Sequence, residues 1–489
     1  MIRTTHELLP DPTRVVARPY IPAGAIDVDP EPRTARLVRR ILALPPEEVA
    51  TQLAAVLRDF GSRHRDLERI LLANYQQVAH NLGNGATPTH QQQLLVGAYV
   101  THEYTLEAAA LFNPSMVPAP GPLGMGNDDQ PFVMSVRSVG EGHLSSIEFR
   151  TGTARAGGEL MFDPVGTFAS TGEISWAKYD REMFEAKLDE LGADCDLVRR
   201  LIHPLGERFT YAELEERISS QGIAALGITP AAAYQTVELA RMLAHANYVV
   251  SFDPQIPLSE RVILPVGPTE SHGMEDARFV RFTDEDGSVT YFATYTAFDG
   301  TNILPQLIET ADFTTFRIST LNGSCARNKG MALFPRKIGG QFVALSRYDQ
   351  ENIDLMFSDR VQFWHARERL RMPQHAWEFV QIGNCGSPLE TDAGWLVLTH
   401  GVGPMRTYSI GALLLDRDDP HRVIGELPEP LLAPDEHERN GYVPNVLYSC
   451  GGMIHDGRLL LPYGFSDAGI RVAIVELAPL LDSMARKVK

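Results

Sequence analysis

From Phe112 to the C-terminus no segment outside one block keeps a helical period for long. Short apolar or alternating runs follow one another instead: Pro131–Arg137, Ser145–Arg150, Val289–Tyr295, Phe342–Ser346, Trp395–Thr399, Tyr408–Leu415, Leu459–Pro462 and Arg471–Leu477. Gly, Pro, Asn and Asp separate them, so each reads as a strand bounded by turns rather than as a helix. Many short strands must close on themselves or stack to hide their edges, which predicts a mainly β chain built as a sandwich, barrel or propeller. No repeat of the WD type is evident, and periodicity alone does not choose among the three.

The exception is the block from about residue 177 to 247. Met183–Leu191, Leu197–Leu201, Tyr211–Ile218 and Ala231–Ala244 carry apolar residues at helical spacing, and Thr229-Pro230 reads as a cap followed by proline at the first helical position. A helical insertion in the β region is expected, serving packing or oligomerisation, or covering a site. The other end of the chain is also different. Residues 1–30 are Pro-rich and read as an irregular surface arm. Helical spacing runs from Thr34 to Leu82, with Pro45-Pro46-Glu47-Glu48 opening a helix that carries Val49, Leu53, Val56, Leu57 and Phe60 before Gly61. A further helix is expected from His64 to Asn81, ahead of Gly83 and Gly85, and a last one from His102 to Leu111. The expected organisation is therefore residues 1–110 as arm and helical region, and residues 111–489 as the β domain with its insertion.

At 489 residues the chain exceeds what one small core needs. A net charge of −18 argues against general binding to nucleic acid or anionic membranes, although it leaves room for a local basic pocket. The first residues lack an apolar signal region, and no apolar run is long enough to span a bilayer. Cys195, Cys325, Cys385 and Cys450 show neither CxxC nor zinc spacing, so reduced thiols and no metal site are expected, in the cytoplasm.

Among these strands, Gly273-Met274-Glu275-Asp276-Ala277-Arg278-Phe279-Val280-Arg281-Phe282 carries the most chemistry. Strict alternation puts Asp276 and Arg278 on one face and Glu275 on the other, so one carboxylate would face one guanidinium. Alone this is a structural ion pair. The window Ser324–Tyr348 holds Arg327, Lys329, Arg336, Lys337 and Arg347 with no acid, which reads either as a protected strand edge or as an oxyanion site at one end of a sheet. Asn113, Arg137, Glu148, Arg150 and His400 also fall in or at the ends of strands. Tyr463 and Asp467 flank a turn, an aromatic with an acid that suits a sugar.

In order along the chain, several of these segments resemble glycoside hydrolase family 130, the β-mannoside phosphorylases and mannosidases. They are Phe112-Asn113-Pro114, Gly273–Arg278, Asn328-Lys329 with Leu333-Phe334-Pro335, Ile338-Gly339-Gly340 and Ser358-Asp359. Gly394-Trp395-Leu396 with His400-Gly401-Val402, Gly441–Val446, and Tyr463-Gly464 with Ser466-Asp467 complete the set. The resemblance covers roughly residues 111–489. It implies a five-bladed β-propeller with the site in its channel, and Asp276 as a general acid that passes its proton through a sugar hydroxyl, with inversion at the anomeric carbon. Asn113, Glu275, Arg278, Tyr463 and Asp467 are the expected sugar contacts.

An inverting hydrolase needs a second carboxylate on the opposite face to activate water. A phosphorylase needs cations instead, because phosphate is itself the nucleophile. Arg137, Arg150, Arg327, Lys329, Arg347 and His400 are the candidates for that cluster; Glu390 and Glu148 are the candidate bases. The expectation is an inverting phosphorylase that releases α-mannose 1-phosphate, with phosphate as co-substrate and no cofactor. The alternatives are an inverting β-mannosidase and a carbohydrate-binding propeller without catalysis. A homo-oligomer built through the extra helices is the remaining expectation.

Overall fold

The computed structural model describes residues 1–22, 32–82, 87–121, 123, 129–221 and 230–484. Thr229, the expected cap, and Gly83 and Gly85, the expected breakers, lie outside the described residues. The chain divides into two compact units: Asp11–Ala108 with Gly166–Ser170, and Met1–Pro10 with Ala109–Val165 and Thr171–Lys489.

The smaller unit is helical. Its helices Arg33–Leu42, Pro46–Phe60, Leu67–Val78 and His90–Tyr99 bury Val38, Ile41, Val49, Val78, Leu95 and Val96 in one cluster. Pro46 opens the second helix with Glu47 and Glu48 in its first turn, where the exposed amides favour negative charge. Asp66 caps the third helix, and Thr89 with Gln92 forms a reciprocal capping box on the fourth. A side chain at Gly97 would meet the Leu71 carbonyl oxygen at 1.9 Å, so the last two helices cross in backbone contact. The helix expected at His102–Leu111 is not formed. Thr101–Thr105 is a strand paired antiparallel with Val15–Pro19, and Ala110–Pro118 begins the β unit. The capped segment just before it, His90–Tyr99, takes the helix instead.

The larger unit is mainly β. Its sheets follow the chain as successive antiparallel groups. The first is Ala110–Pro118, Gln130–Val139 and Ser145–Ala154; the second runs Gly273–Thr283, Val289–Phe298, Ile303–Thr310 and Thr315–Thr320. A short parallel pairing of Gly273 with Ser145 joins these two. The next groups are Ala332–Leu333 to Ala366–Arg371, then Gln381–Asn384 to Val423–Glu426. The last contains Arg458–Phe465 and Gly469–Glu476, and Ile2–Leu8 pairs with it antiparallel. Residues 1–10 are thus not an arm: alternation in Ile-Arg-Thr-Thr-His-Glu-Leu lets them complete a sheet. Arg3 and Arg471 both reach the buried Glu438, at 3.1 and 3.4 Å.

The helical insertion forms as Arg181–Glu190, Cys195–Ile202, Tyr211–Gln221 and Pro230–His245, around Phe184, Leu188, Leu201, Leu214, Val237 and Leu243. Lys187 donates to the Leu321 carbonyl at 2.9 Å, and Glu190 accepts from the Gly323 amide at 2.6 Å. Among the described residues no helix is long and apolar enough to cross a membrane. All four cysteines are free, and only Cys195 is exposed.

Candidate active site

Asp276 does not sit on a regular strand. The ladder between Gly273–Thr283 and Val289–Phe298 slips between Glu275 and Arg278, and Asp276 stands in the left-handed region at φ +58°. A bulge of this kind re-aims side chains and breaks alternation. Glu275 and Asp276 therefore turn to the same guanidinium: Arg137 donates to Glu275 Oε1 at 2.9 Å and to Asp276 Oδ1 at 3.2 Å. This corrects the expectation that Glu275 would point away from Asp276.

A second slip faces the first. In Ala110–Pro118 the register shifts between Phe112 and Ser115, and Asn113 also adopts positive φ, +50°. Its amide donates to Asp276 Oδ1 at 2.6 Å. Behind them Arg278, 1% exposed, is committed to structure. It donates to the Asp276 carbonyl at 2.8 Å, the Cys385 carbonyl at 2.9 Å and the Tyr448 hydroxyl at 2.9 Å, and reaches Asp276 Oδ2 at 3.5 Å. These bonds hold the bulge in place and tie it to the strand Leu447–Tyr448 and to the turn after Gln381–Asn384. Arg278 thus stabilises the bend that its spacing from Asp276 had seemed to leave straight.

A cavity of about 310 Å³ opens at this point. Asn113, Arg137, Asp276, Lys329, Arg347 and Asp467 line it, and so do Gln350, Gln381, Arg406, Tyr408 and Tyr448. Lys329 is ion-paired with Glu275. Arg347 donates to His400 Nε2 at 3.3 Å. A side chain on Gly383 would meet both Arg347 and His400 within 2.4 Å, so the glycine makes room for this pair. Five of the lining residues, Asn113, Asp276, Gln350, Arg406 and Asp467, have positive φ. Left-handed backbone at non-glycine residues is costly, and its concentration here marks a site held by its surroundings.

The electrostatics follow from this crowding. Burial alone would push the Asp276 carboxyl up, but Arg137, Arg278, Lys329 and the Asn113 amide outweigh it and hold it well below the usual carboxylate range. Asp467 is shifted the other way: burial and the nearby Asp276 charge push it up to about 6, against the pull of Arg137 and Arg406. His400 is fully buried, and burial with the charges of Arg347 and Arg278 holds it well below the ordinary histidine value. It is neutral at pH 7. An ionised acid, a carboxyl that exchanges its proton near pH 6 and four cationic side chains share one concavity. Such a set can hold an anion next to a hydroxyl-rich ligand and move a proton between them.

Several expected residues are placed elsewhere. Arg150 lies 3.6 Å from Glu148 in Ser145–Ala154, both are buried, and neither lines the cavity. Their alternation along one strand carries them into the sheet. Arg327 is exposed outside the cavity, two residues before Lys329, because the chain turns at Asn328 with φ +59°. Glu390 is held by Arg336 and Arg417, at 2.8 and 3.0 Å, in a different cavity. Tyr463 is fully buried and donates to Glu438 at 2.7 Å. Glu275, Arg278 and His400 touch cavity residues without lining the cavity themselves. Arg406, Gln350, Gln381, Tyr408 and Tyr448 fall in no motif of the sequence, although Gly403-Pro404 does mark the turn that presents Arg406.

A family model described as beta-1,4-mannooligosaccharide phosphorylase matches residues 251–486. The chain is 32% identical over 222 residues to a beta-1,2-mannobiose phosphorylase of Thermoanaerobacter sp. (strain X514), covering 43% of this chain and 68% of that protein. It is 38% identical over 152 residues to a 1,2-beta-oligomannan phosphorylase of the same organism, 31% of this chain and 51% of that one. The matches thus span from about half to two thirds of these relatives' length. A solved structure of the Listeria innocua beta-1,2-mannobiose phosphorylase with beta-1,2-mannobiose aligns with a TM-score of 0.46 at 20% identity, over 78% of this chain and 94% of that one. A mainly β protein with an acid set among cations is the class that fold and site define. Within it, the chain belongs to glycoside hydrolase family 130.

Proposed function

We propose that the protein is an inverting β-mannoside phosphorylase, and that its successive antiparallel sheets are the blades of a five-bladed propeller with the Asp276 cavity in the channel. The observation that carries this reading is the shared lining of one cavity by Asp276, Arg137, Lys329, Arg347 and Arg406. The two carboxylates considered as hydrolytic bases, Glu148 and Glu390, are ion-paired outside it. The names of the similar proteins, phosphorylases of 1,2- and 1,4-linked mannosides, point the same way.

In this mechanism Lys329, Arg347 and Arg137 seat hydrogen phosphate beside the anomeric carbon, and Asn113 and Asp467 hold the mannosyl hydroxyls. A phosphate oxygen forms the new bond to C1 from the face opposite the leaving group, and the C1–O bond to the second sugar breaks. The departing oxygen takes a proton from Asp276, relayed by a sugar hydroxyl. The phosphate proton then returns to the carboxylate, leaving α-mannose 1-phosphate and the shortened sugar. Free Asp276 is ionised, so phosphate also acts on the acid. A dianion next to Arg137 and Lys329 offsets the charges that depress Asp276 and lets it hold a proton.

Incubation with β-1,2- and β-1,4-mannobiose, with and without phosphate, tests the reading. Phosphate-dependent cleavage with release of mannose 1-phosphate is expected. Cleavage at the same rate without phosphate would overturn it in favour of a mannosidase, and sugar binding without turnover would leave a carbohydrate-binding protein. No cofactor is assigned, and the cytoplasm is the proposed compartment.

A further inference from the structure

A second cavity, of about 480 Å³, lies between the helical insertion and the strand Thr315–Thr320. Lys178, Lys187 and Arg208 line it from the insertion, Arg317 from the strand, and Arg360 from the loop after Ile353–Ser358. Among the described residues, Asp180 is the one carboxylate in the wall. Five cations around one acid is a large local excess in a chain of net charge −18.

The cations differ in what already holds them. Lys187 is buried and engaged with Glu190 and the Leu321 carbonyl, both at 2.9 Å. Among the described residues, Lys178, Arg208, Arg317 and Arg360 have no carboxylate within ion-pair distance, 4.0 Å. Asp180 stands across from Arg208 in a short two-stranded pair, but its carboxylate accepts from the Met183 amide at 3.1 Å as a helix cap. Glu309 faces Arg317 across the ladder, and among the described residues the two form no ion pair within 4.0 Å.

Four cations turned into one concavity repel each other, and surfaces that bind nothing usually intersperse the two signs. An anion in the cavity relieves that repulsion. Arginine forks match phosphate oxygens two at a time. The volume lies in the range of small-molecule sites, larger than one phosphate fills. Asn322, Gln362 and Ser319 add neutral polar groups to the wall, which suit hydroxyls.

We propose that this cavity is a second ligand site, for a phosphorylated monosaccharide, separate from the anion site at Asp276. It gives the insertion a function beyond packing, because three of the five cations come from it.

Calorimetric titration of the full chain with glucose 6-phosphate and with inorganic phosphate tests the proposal in the wild type, in Lys329→Ala and in the double variant Arg317→Ser/Arg360→Ser. Both arginines are exposed, so the double variant is expected to keep its fold, its thermal midpoint and its turnover. Glucose 6-phosphate should bind saturably to the wild type and equally well to Lys329→Ala, and at least ~10-fold more weakly to the double variant. Absence of saturable binding to the wild type would overturn the proposal, as would unchanged affinity in the double variant. Loss in Lys329→Ala would place the ligand at Asp276 instead. In Lys329→Ala, where the Asp276 anion site is weakened, affinity for inorganic phosphate equal to that for glucose 6-phosphate would overturn the assignment to a sugar phosphate.

Discussion

The Asn113 amide donates to Asp276 Oδ1 at 2.6 Å, and both residues are in left-handed backbone where their strands lose register. Two distortions that face each other and share a hydrogen bond place the acid more firmly than either strand would alone. Asp276→Asn keeps the shape and the bulge but cannot donate an acidic proton. Turnover should fall by ~10²–10⁴-fold with mannoside binding retained. Sugar phosphate release and ligand titration measure the two. Unchanged turnover would remove Asp276 from the chemistry.

Phosphate should raise the Asp276 pKa. Three cations and an amide hold it down in the free protein, and an added dianion offsets part of that charge. A carboxyl ¹³C titration with and without phosphate reads the shift. An Asp276 signal that ignores phosphate would count against the coupling.

Lys329→Ala and Arg327→Ala should separate cleanly, although the two residues are two positions apart. Lys329 lines the cavity and Arg327 does not. Loss of Lys329 should raise KM for phosphate by ~10-fold or more, and loss of Arg327 should leave it unchanged. Steady-state kinetics in varied phosphate give both numbers.

Gly383→Ala introduces a methyl within 2.4 Å of both Arg347 and His400. Arg347 must move, at a cost of ~1–3 kcal/mol, so stability should drop and KM for phosphate rise while KM for the mannoside changes less. Equal effects on both KM values would show that the shift is not local to Arg347.

Asp467 binds its proton more tightly in the folded chain than in the unfolded one. Its folded pKa, about 6, lies above its ordinary value of 3.8, so between these limits the folded chain binds a proton that the unfolded chain releases. The stability this group contributes is complete below about pH 4 and is lost as pH rises through about 6. Asp467→Asn should therefore be more stable than the wild type above about pH 6, by up to ~2 kcal/mol after allowance for partial exposure, with no gain near pH 4. Denaturation midpoints at the two pH values decide it.

Tyr463→Phe removes a buried hydrogen bond to Glu438 and nothing in the cavity. A stability loss of ~1 kcal/mol with unchanged kcat is expected. A fall in kcat would return Tyr463 to the sugar site.

Much of the β texture was legible because alternation survives wherever a ladder is unbroken. Phe342–Ser346 and Tyr408–Leu415 form with the expected ends. Lys329 and Arg347 stood out because their window holds no acid, and both reach the cavity. What failed depended on register. Alternation separated Glu275 from Asp276, and a slip that no residue pattern announces brought them together on Arg137. Charge type alone admitted Arg150 and Glu148, which pair with each other inside a sheet. Arg406 was missed because a single cation in a turn carries no pattern; a glycine-proline pair presents it to the cavity.

The pairing of Ile2–Leu8 with Gly469–Glu476 bears on how the chain is made. The strand Ile2–Leu8 is synthesised long before the partner that it pairs with. At ~5–20 residues per second, synthesis leaves that strand without its ladder for tens of seconds. The sheet around Glu438 is therefore sealed only once Gly469–Glu476 has been made, and a nascent chain that stalls before residue 469 would present an open β edge to its neighbours.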